Sequence, residues 1–162
     1  MENDKKQHLN ILLFSGDYDK CLAAMILANG AMERGMTTTV FCAFWGLFLL
    51  RDMDKVSTQD KSLQEKMFAS ITPSYAEQLP LSKLNLAGIG KTMLLDMMDA
   101  NQTPHLQDFL QGARHKGVRF CACRLSLEIM GFKAEELLEG IEVIDVDAYL
   151  EDAAQSDIQL FI

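Results

Sequence analysis

The run Leu9-Asn10-Ile11-Leu12-Leu13-Phe14 constrains this chain more than any other feature. Its side chains are apolar at all but one position, with no alternation. A strand can carry such a run only where both of its faces are covered, as in a parallel sheet between helices. Ser15-Gly16-Asp17 turns the chain, and Asp17 or Asp19 can cap a helix. Lys20 to Met32 is apolar on nearly every face, which predicts a helix buried all round. Gly35 is its natural stop. Thr37 to Phe44, β-branched and aromatic, reads as the second strand.

The same alternation resumes later. Val118 to Cys123 is a short buried strand that ends on a cysteine and turns into a helix at Arg124-Leu125-Ser126. The helical stretch runs from Ser126 to Glu139, with Gly140 as terminator, and Ile141 to Ile144 is the fourth strand. Asp145 can cap a helix carrying Val146, Tyr149, Leu150 and Ala153, and Ile158 to Ile162 is the last strand. Five strands joined by helices predict a mainly parallel five-stranded α/β sheet with helices on both faces.

Residues 45–117 are too many for one crossover helix, so they hold several helices or a small lobe. Arg51 to Lys66 is polar, and Pro73 and Pro80 punctuate the stretch. Met93, Leu94, Met97 and Met98 mark one helix. Thr103 caps the next, with Pro104 at its first position and a stripe of Leu106, Phe109, Leu110 and Ala113. Arg114, His115 and Lys116 suit the negative helix end, and Gly117 closes it. The expectation is one domain, 1–162, with a long helical insertion over about 45–117 between strands two and three.

A chain of 162 residues buries roughly 70% of its unfolded surface and needs no staples. The formal charge of −8 and pI near 4.8 argue against nucleic acid, whose phosphates require a clustered basic surface. No run resembles a signal peptide or a membrane span of ~20 apolar residues, so a cytoplasmic protein is expected. There, Cys21, Cys42, Cys121 and Cys123 read as free thiols.

In such folds functional groups gather at the carboxyl ends of strands. Three loops then converge: Ser15-Gly16-Asp17, Phe44-Trp45-Gly46 and Cys123-Arg124. A thiol at Cys123 lies beside the free N–H groups of the following helix and next to Arg124. Both favour the thiolate, which is the nucleophile. Cys121 points the same way but sits deeper and reads as packing. Cys21, near the start of the first helix, is the rival thiol. His8, His105 and His115 have no ligand spacing, so no metal is expected. Asn85-Leu86-Ala87-Gly88-Ile89-Gly90-Lys91-Thr92 misses a phosphate-binding loop by its first residue and lacks a strand before it. Trp45, the sole tryptophan, fits equally a lid on the core or a wall around the thiol.

These pieces together resemble the DsrE/DsrF/DsrH-like family of small sulfur-relay proteins, in the subfamily found beside rhodanese-like and TusA-like proteins. The matching segments are Ser15-Gly16-Asp17 with Asp19-Lys20, Ala28-Asn29-Gly30-Ala31, Phe44-Trp45-Gly46-Leu47, Leu81-Ser82-Lys83 with Asn85, Gly88 and Gly90, Ala122-Cys123 with Ser126 and Met130-Gly131, and Leu160-Phe161-Ile162. The resemblance implies a three-layer α/β/α sandwich and a homotrimer or homohexamer. It implies that Cys123 accepts sulfane sulfur as a persulfide and passes it to an acceptor thiol, as a sulfurtransferase without a cofactor. Rhodanese-like or TusA-like proteins would be donor and acceptor. Ser15, Gly16, Asp17, Lys20, Cys21, Phe44, Trp45, Gly46 and Arg124 are the candidate pocket around that thiol. The alternatives are a non-catalytic scaffold of a sulfur-relay complex and a flavin- or nucleotide-binding module.

Overall fold

The computed structural model describes residues 6–162. Strands β1 (His8–Leu13), β2 (Thr37–Cys42), β3 (Arg119–Cys123), β4 (Glu142–Ile144) and β5 (Ile158–Phe161) form one sheet in the order β4-β3-β2-β1-β5. Every pairing is parallel. Parallel neighbours need crossovers, and these supply the helices: α1 (Tyr18–Glu33) links β1 to β2, and α6 (Val146–Ala154) links β4 to β5.

Side chains alternate across the sheet, so its two faces can be read from the register. One face carries Leu9, Ile11 and Leu13 of β1, Val40 and Cys42 of β2, and Phe120 and Ala122 of β3, all in the main core. Helix α1 and helix α4 (Leu106–His115) cover it. The other face carries Leu12, Phe41, Ala43, Cys121 and Cys123, and α6 lies over it with Tyr149 stacked on Phe41 at 4.4 Å. The sheet is therefore sandwiched between two helical layers.

Polar bonds dock α6. Asp152 accepts from Asn10 Nδ2 at 2.6 Å and Thr39 Oγ1 at 3.1 Å, and pairs with His8 Nε2 at 3.0 Å. Burial works against the charge on Asp152, but these partners outweigh it and hold its pKa below the usual value.

Between β2 and β3 run a 3-10 helix (Phe44–Leu50), α2 (Leu63–Ile71), α3 (Ile89–Ala100) and α4. The 3-10 helix is apolar and buried from Gly46 to Leu50. Arg51, at its end, is buried under the Phe132 ring at 4.5 Å, and its Nη1 donates to Thr72 Oγ1 and Pro73 O at 3.0 and 2.7 Å.

The sequence reading needs correction at several ends. Helix α1 is not buried all round: Ile26 and Leu27 are about half exposed, because α4 covers one flank only. Asp17 makes no capping bond to α1 and pairs instead with Lys20 at 2.8 Å. Helix α4 begins at Leu106 with His105 as cap residue, two residues after Thr103. Leu106 N–H is drawn onto the Tyr18 hydroxyl at 3.0 Å, and His105 N–H donates to Asp108. The helix after β3, α5 (Arg124–Met130), stops short of Glu139 because Gly131 turns left-handed at φ 68°. The segment from Asn85 follows no strand and enters α3, with Lys91 donating to the Glu77 carbonyl.

Candidate active site

All three expected loops lie at the carboxyl edge of the sheet, since each follows a strand directly. Cys123 is the last residue of β3 and the N-cap of α5, with extended backbone at φ −68° and ψ 116°. It is the single cysteine of the four that is not fully buried. The register places it beside Ile144 of β4. On the other side, Ala43 and then Phe14 continue the row that follows the pairs Leu13–Cys42 and Cys42–Ala122. Phe14 is thus two strand spacings, or about 10 Å, from Cys123. Arg124 Nη2 donates to Val143 O at 3.3 Å, which keeps the guanidinium at the end of β4.

The other thiols are enclosed. Burial is the main reason that Cys121 is pushed up to about 11, with Arg119 nearby pulling the other way. Burial likewise raises Cys42 well above an ordinary thiol. Cys21 reverses the expectation from its helical position. It is fully buried, it donates to Ser15 O at 3.4 Å, and burial, with Asp17 and Asp19 adding, drives its pKa up. The helix start that would favour its thiolate is overridden by desolvation.

The expected pocket residues fall into two groups. Ser15, Gly16, Asp17, Lys20 and Trp45 line one cavity of about 910 Å³. Cys21 sits behind its Ser15 wall, and Phe44 and Gly46 flank Trp45 in chain without lining the cavity. Phe44 packs on Phe14 at 5.7 Å. Cys123 and Arg124 do not line this cavity. Gly16 lets its wall close, since a Cβ there would stand 2.7 Å from Trp45 O; outside the lining, a Cβ on Gly46 would collide with Leu13 O.

Sequence reasoning did not find the opposite wall. Ser70, Ile71, Thr72, Pro73, Gln78 and Pro80, from α2 and the segment after it, face the β1 loop across the cavity. Pro73 and Pro80 marked turns there, but nothing in the sequence said that this segment folds back over β1. Among the described residues no cluster of His, Cys, Asp and Glu could hold a metal ion. No described helix is long and apolar enough to cross a membrane.

The DsrE/DsrF/DrsH-like family model matches residues 5–161. An uncharacterized protein, YrkE of Bacillus subtilis, is 37% identical over 159 residues, covering 98% of this chain and 99% of that protein. The sulfur carrier protein DsrE2 of Allochromatium vinosum is 22% identical over 158 residues, covering 98% and 99%. Two solved structures share the fold. The ychN protein of E. coli has a TM-score of 0.55 at 10% identity, covering 97% of this chain and 99% of its own. A protein of unknown function, MTH1491 of Methanobacterium thermoautotrophicum, has a TM-score of 0.57 at 15% identity, covering 97% and 100%.

Proposed function

Because the chain belongs to the DsrE/DsrF/DrsH-like family, we propose that it is a sulfur carrier in a sulfur relay and that Cys123 bears the sulfur. One observation carries the choice of residue: Cys123 alone among the four cysteines meets solvent, at the carboxyl end of an interior strand. The name of the Allochromatium relative supports the sulfur chemistry.

The transfer is thiol exchange and needs no cofactor. The Cys123 thiolate attacks the outer sulfur of a donor persulfide. The new Cys123 S–S bond forms as the donor's S–S bond breaks, and the donor sulfur leaves as a thiolate. An acceptor thiolate then attacks the terminal sulfur on Cys123, and Cys123 leaves as the thiolate that began the cycle. Each step breaks one S–S bond and makes one, so there is no net oxidation. This reading assigns Arg124, next in chain to Cys123, to offset the anion that Cys123 carries before and after loading. Rhodanese-like or TusA-like persulfide proteins are the donor and acceptor class that this reading takes.

Intact-mass analysis after exposure to a sulfane-sulfur donor tests it. The protein should gain one sulfur atom that reductant removes, and Cys123→Ala should not gain it. Cys21→Ala and Cys121→Ala should load normally. Loading that survives in Cys123→Ala would move the site, and no loading in any form would leave the scaffold reading.

The reading includes self-association. Leu63, Met67 and Ile71 form an exposed i, i+4, i+8 stripe on α2, and Ile89, Met93 and Met97 form another on α3. Apolar stripes of this kind are what a homotrimer or homohexamer would cover. Light scattering at micromolar concentration should report more than one chain per particle, and a monomer would contradict this.

A further inference from the structure

We infer that the cavity beside Trp45 is a second, non-covalent site, and that it takes a small, uncharged, planar ring compound. The inference does not rest on the sulfur-relay reading, because no cysteine lines the cavity.

The cavity opens at the carboxyl edge of the sheet. Phe14, Ser15 and Gly16, which leave the end of β1, line it together with Trp45 and Phe48, which follow the end of β2. Open α/β sheets bind ligands in the crevice outside the carboxyl ends of their strands.

The site is also built and held. The segment after α2 forms a wall that three clamps fix. Arg51 Nη1 holds Thr72 and Pro73. Tyr18 N–H donates to Pro80 O at 2.7 Å. Asp19 accepts from the backbone N–H of Ser82 at 2.8 Å and from its hydroxyl. Two of the three clamps come from the first turn of α1, so the wall is tied to the loop that it faces. A volume of about 910 Å³ is at the upper end of the roughly 300–1,000 Å³ typical of small-molecule sites.

The lining selects the ligand. Trp45 offers its indole at 44% exposure, with Phe48 tilted behind it at 5.9 Å. Phe14, Pro73 and Pro80 are the other flat apolar surfaces. A planar ring can stack on Trp45 and stay against apolar walls. The two charged lining groups, Asp17 and Lys20, neutralise each other at 2.8 Å. A phosphate would meet Asp17 in a chain of net charge −8, and no further cation lines the cavity to offset it. Among the described residues, the Gln78 amide nitrogen and the Ser15 hydroxyl have no hydrogen-bond partner, since Gln78 uses only its oxygen, on Ser74 N–H at 2.8 Å. They are free to meet polar atoms on the edge of a ring.

Trp45 is the only tryptophan, so emission excited at the red edge of indole absorption reports this site alone. Adenosine and riboflavin serve as uncharged ring probes, and inorganic phosphate as the anionic one. The expected result is saturable 1:1 quenching by at least one ring probe, confirmed by calorimetry, with none by phosphate. Ser70→Phe, which fills the cavity from an exposed helical position, should weaken binding at least about tenfold while circular dichroism stays unchanged. Cys123→Ala should bind as the parent does, which separates this site from the sulfur-bearing thiol. Binding by neither ring probe overturns the inference. So does quenching by phosphate alone, or ring binding that a folded Ser70→Phe leaves intact.

Discussion

Replacing Glu136 by Gln should destabilise the protein far more than its chemistry suggests. Glu136 and Lys61 are almost fully buried, at 1% and 2% side-chain exposure, with Lys61 Nζ 2.7 and 2.8 Å from the two carboxylate oxygens. The carboxylate also accepts from the backbone N–H groups of Ser57 and Lys133 at 3.0 and 2.8 Å. Arg51 and Lys61 both lie over the Phe132 ring. Glutamine keeps the shape but leaves the buried cations with no compensating charge. Removing one partner of a buried pair costs about 3–5 kcal/mol. With urea slopes of roughly 1–3 kcal/mol/M for small proteins, the unfolding midpoint should fall by about 1–5 M. Lys61→Met with Glu136→Met should cost less than Glu136→Gln alone, because the Lys61 charge is no longer stranded and only Arg51 loses its compensating carboxylate. The carboxyl is held below its ordinary value of 4.5: burial opposes ionisation, but Lys61 and the two N–H groups outweigh it. Its contribution is therefore complete above pH 4.5 and is lost as the pH falls through the lower folded value. Glu136→Gln should flatten that acid limb. Urea titrations across pH would refute the reasoning if Glu136→Gln cost less than about 1 kcal/mol, the worth of a surface ion pair.

Iodoacetamide should label native protein at Cys123 first and reach Cys21, Cys42 and Cys121 only on unfolding, since these three are buried; peptide mapping that finds Cys21 labelled equally fast would contradict this. Gly46→Ala should cost about 1–3 kcal/mol or more, because its Cβ would collide with Leu13 O. Gly30→Ala, in the interior of α1 with nothing within 4 Å of the added atom, should instead stabilise by about 0.5–1 kcal/mol. Thermal melts of the pair would expose an error if they shifted in the same direction.

What the sequence made legible was set by local pattern. The apolar run through Ile11, the stripe of Leu106, Leu110 and Ala113, and the strand ending on Cys123 each carry their own periodicity. All of them appear where that periodicity puts them. The failures share a different cause. The enclosure of Cys21 depends on how the β1 loop packs over it, and no pattern within the loop encodes that. The wall from Ser70 to Pro80 and the segment after it are held by Arg51, Tyr18 and Asp19, residues distant in chain of which Asp19 read only as a candidate helix cap and Arg51 only as part of a polar stretch. Arg51 in particular sits in a polar run, yet it is buried. Long-range clamps of this kind leave no mark on spacing.

The pairing of β5 with β1 has a kinetic consequence. His8 N–H meets the Asp157 carboxylate across 149 positions, and Leu9 to Leu12 pair with Ile158 to Phe161. Contacts so distant in sequence close late, since loop-closure entropy must be met before they stabilise anything. As the chain leaves the ribosome, β1, β2 and β3 can assemble and the thiol strand can take its place. The edge of β1 stays open until β5 has been made. A nascent chain lacking β5 would expose an unpaired, apolar parallel edge for several seconds at ordinary elongation rates of roughly 5–20 residues per second. The closing of β5 onto β1 is thus the step on which escape from aggregation waits.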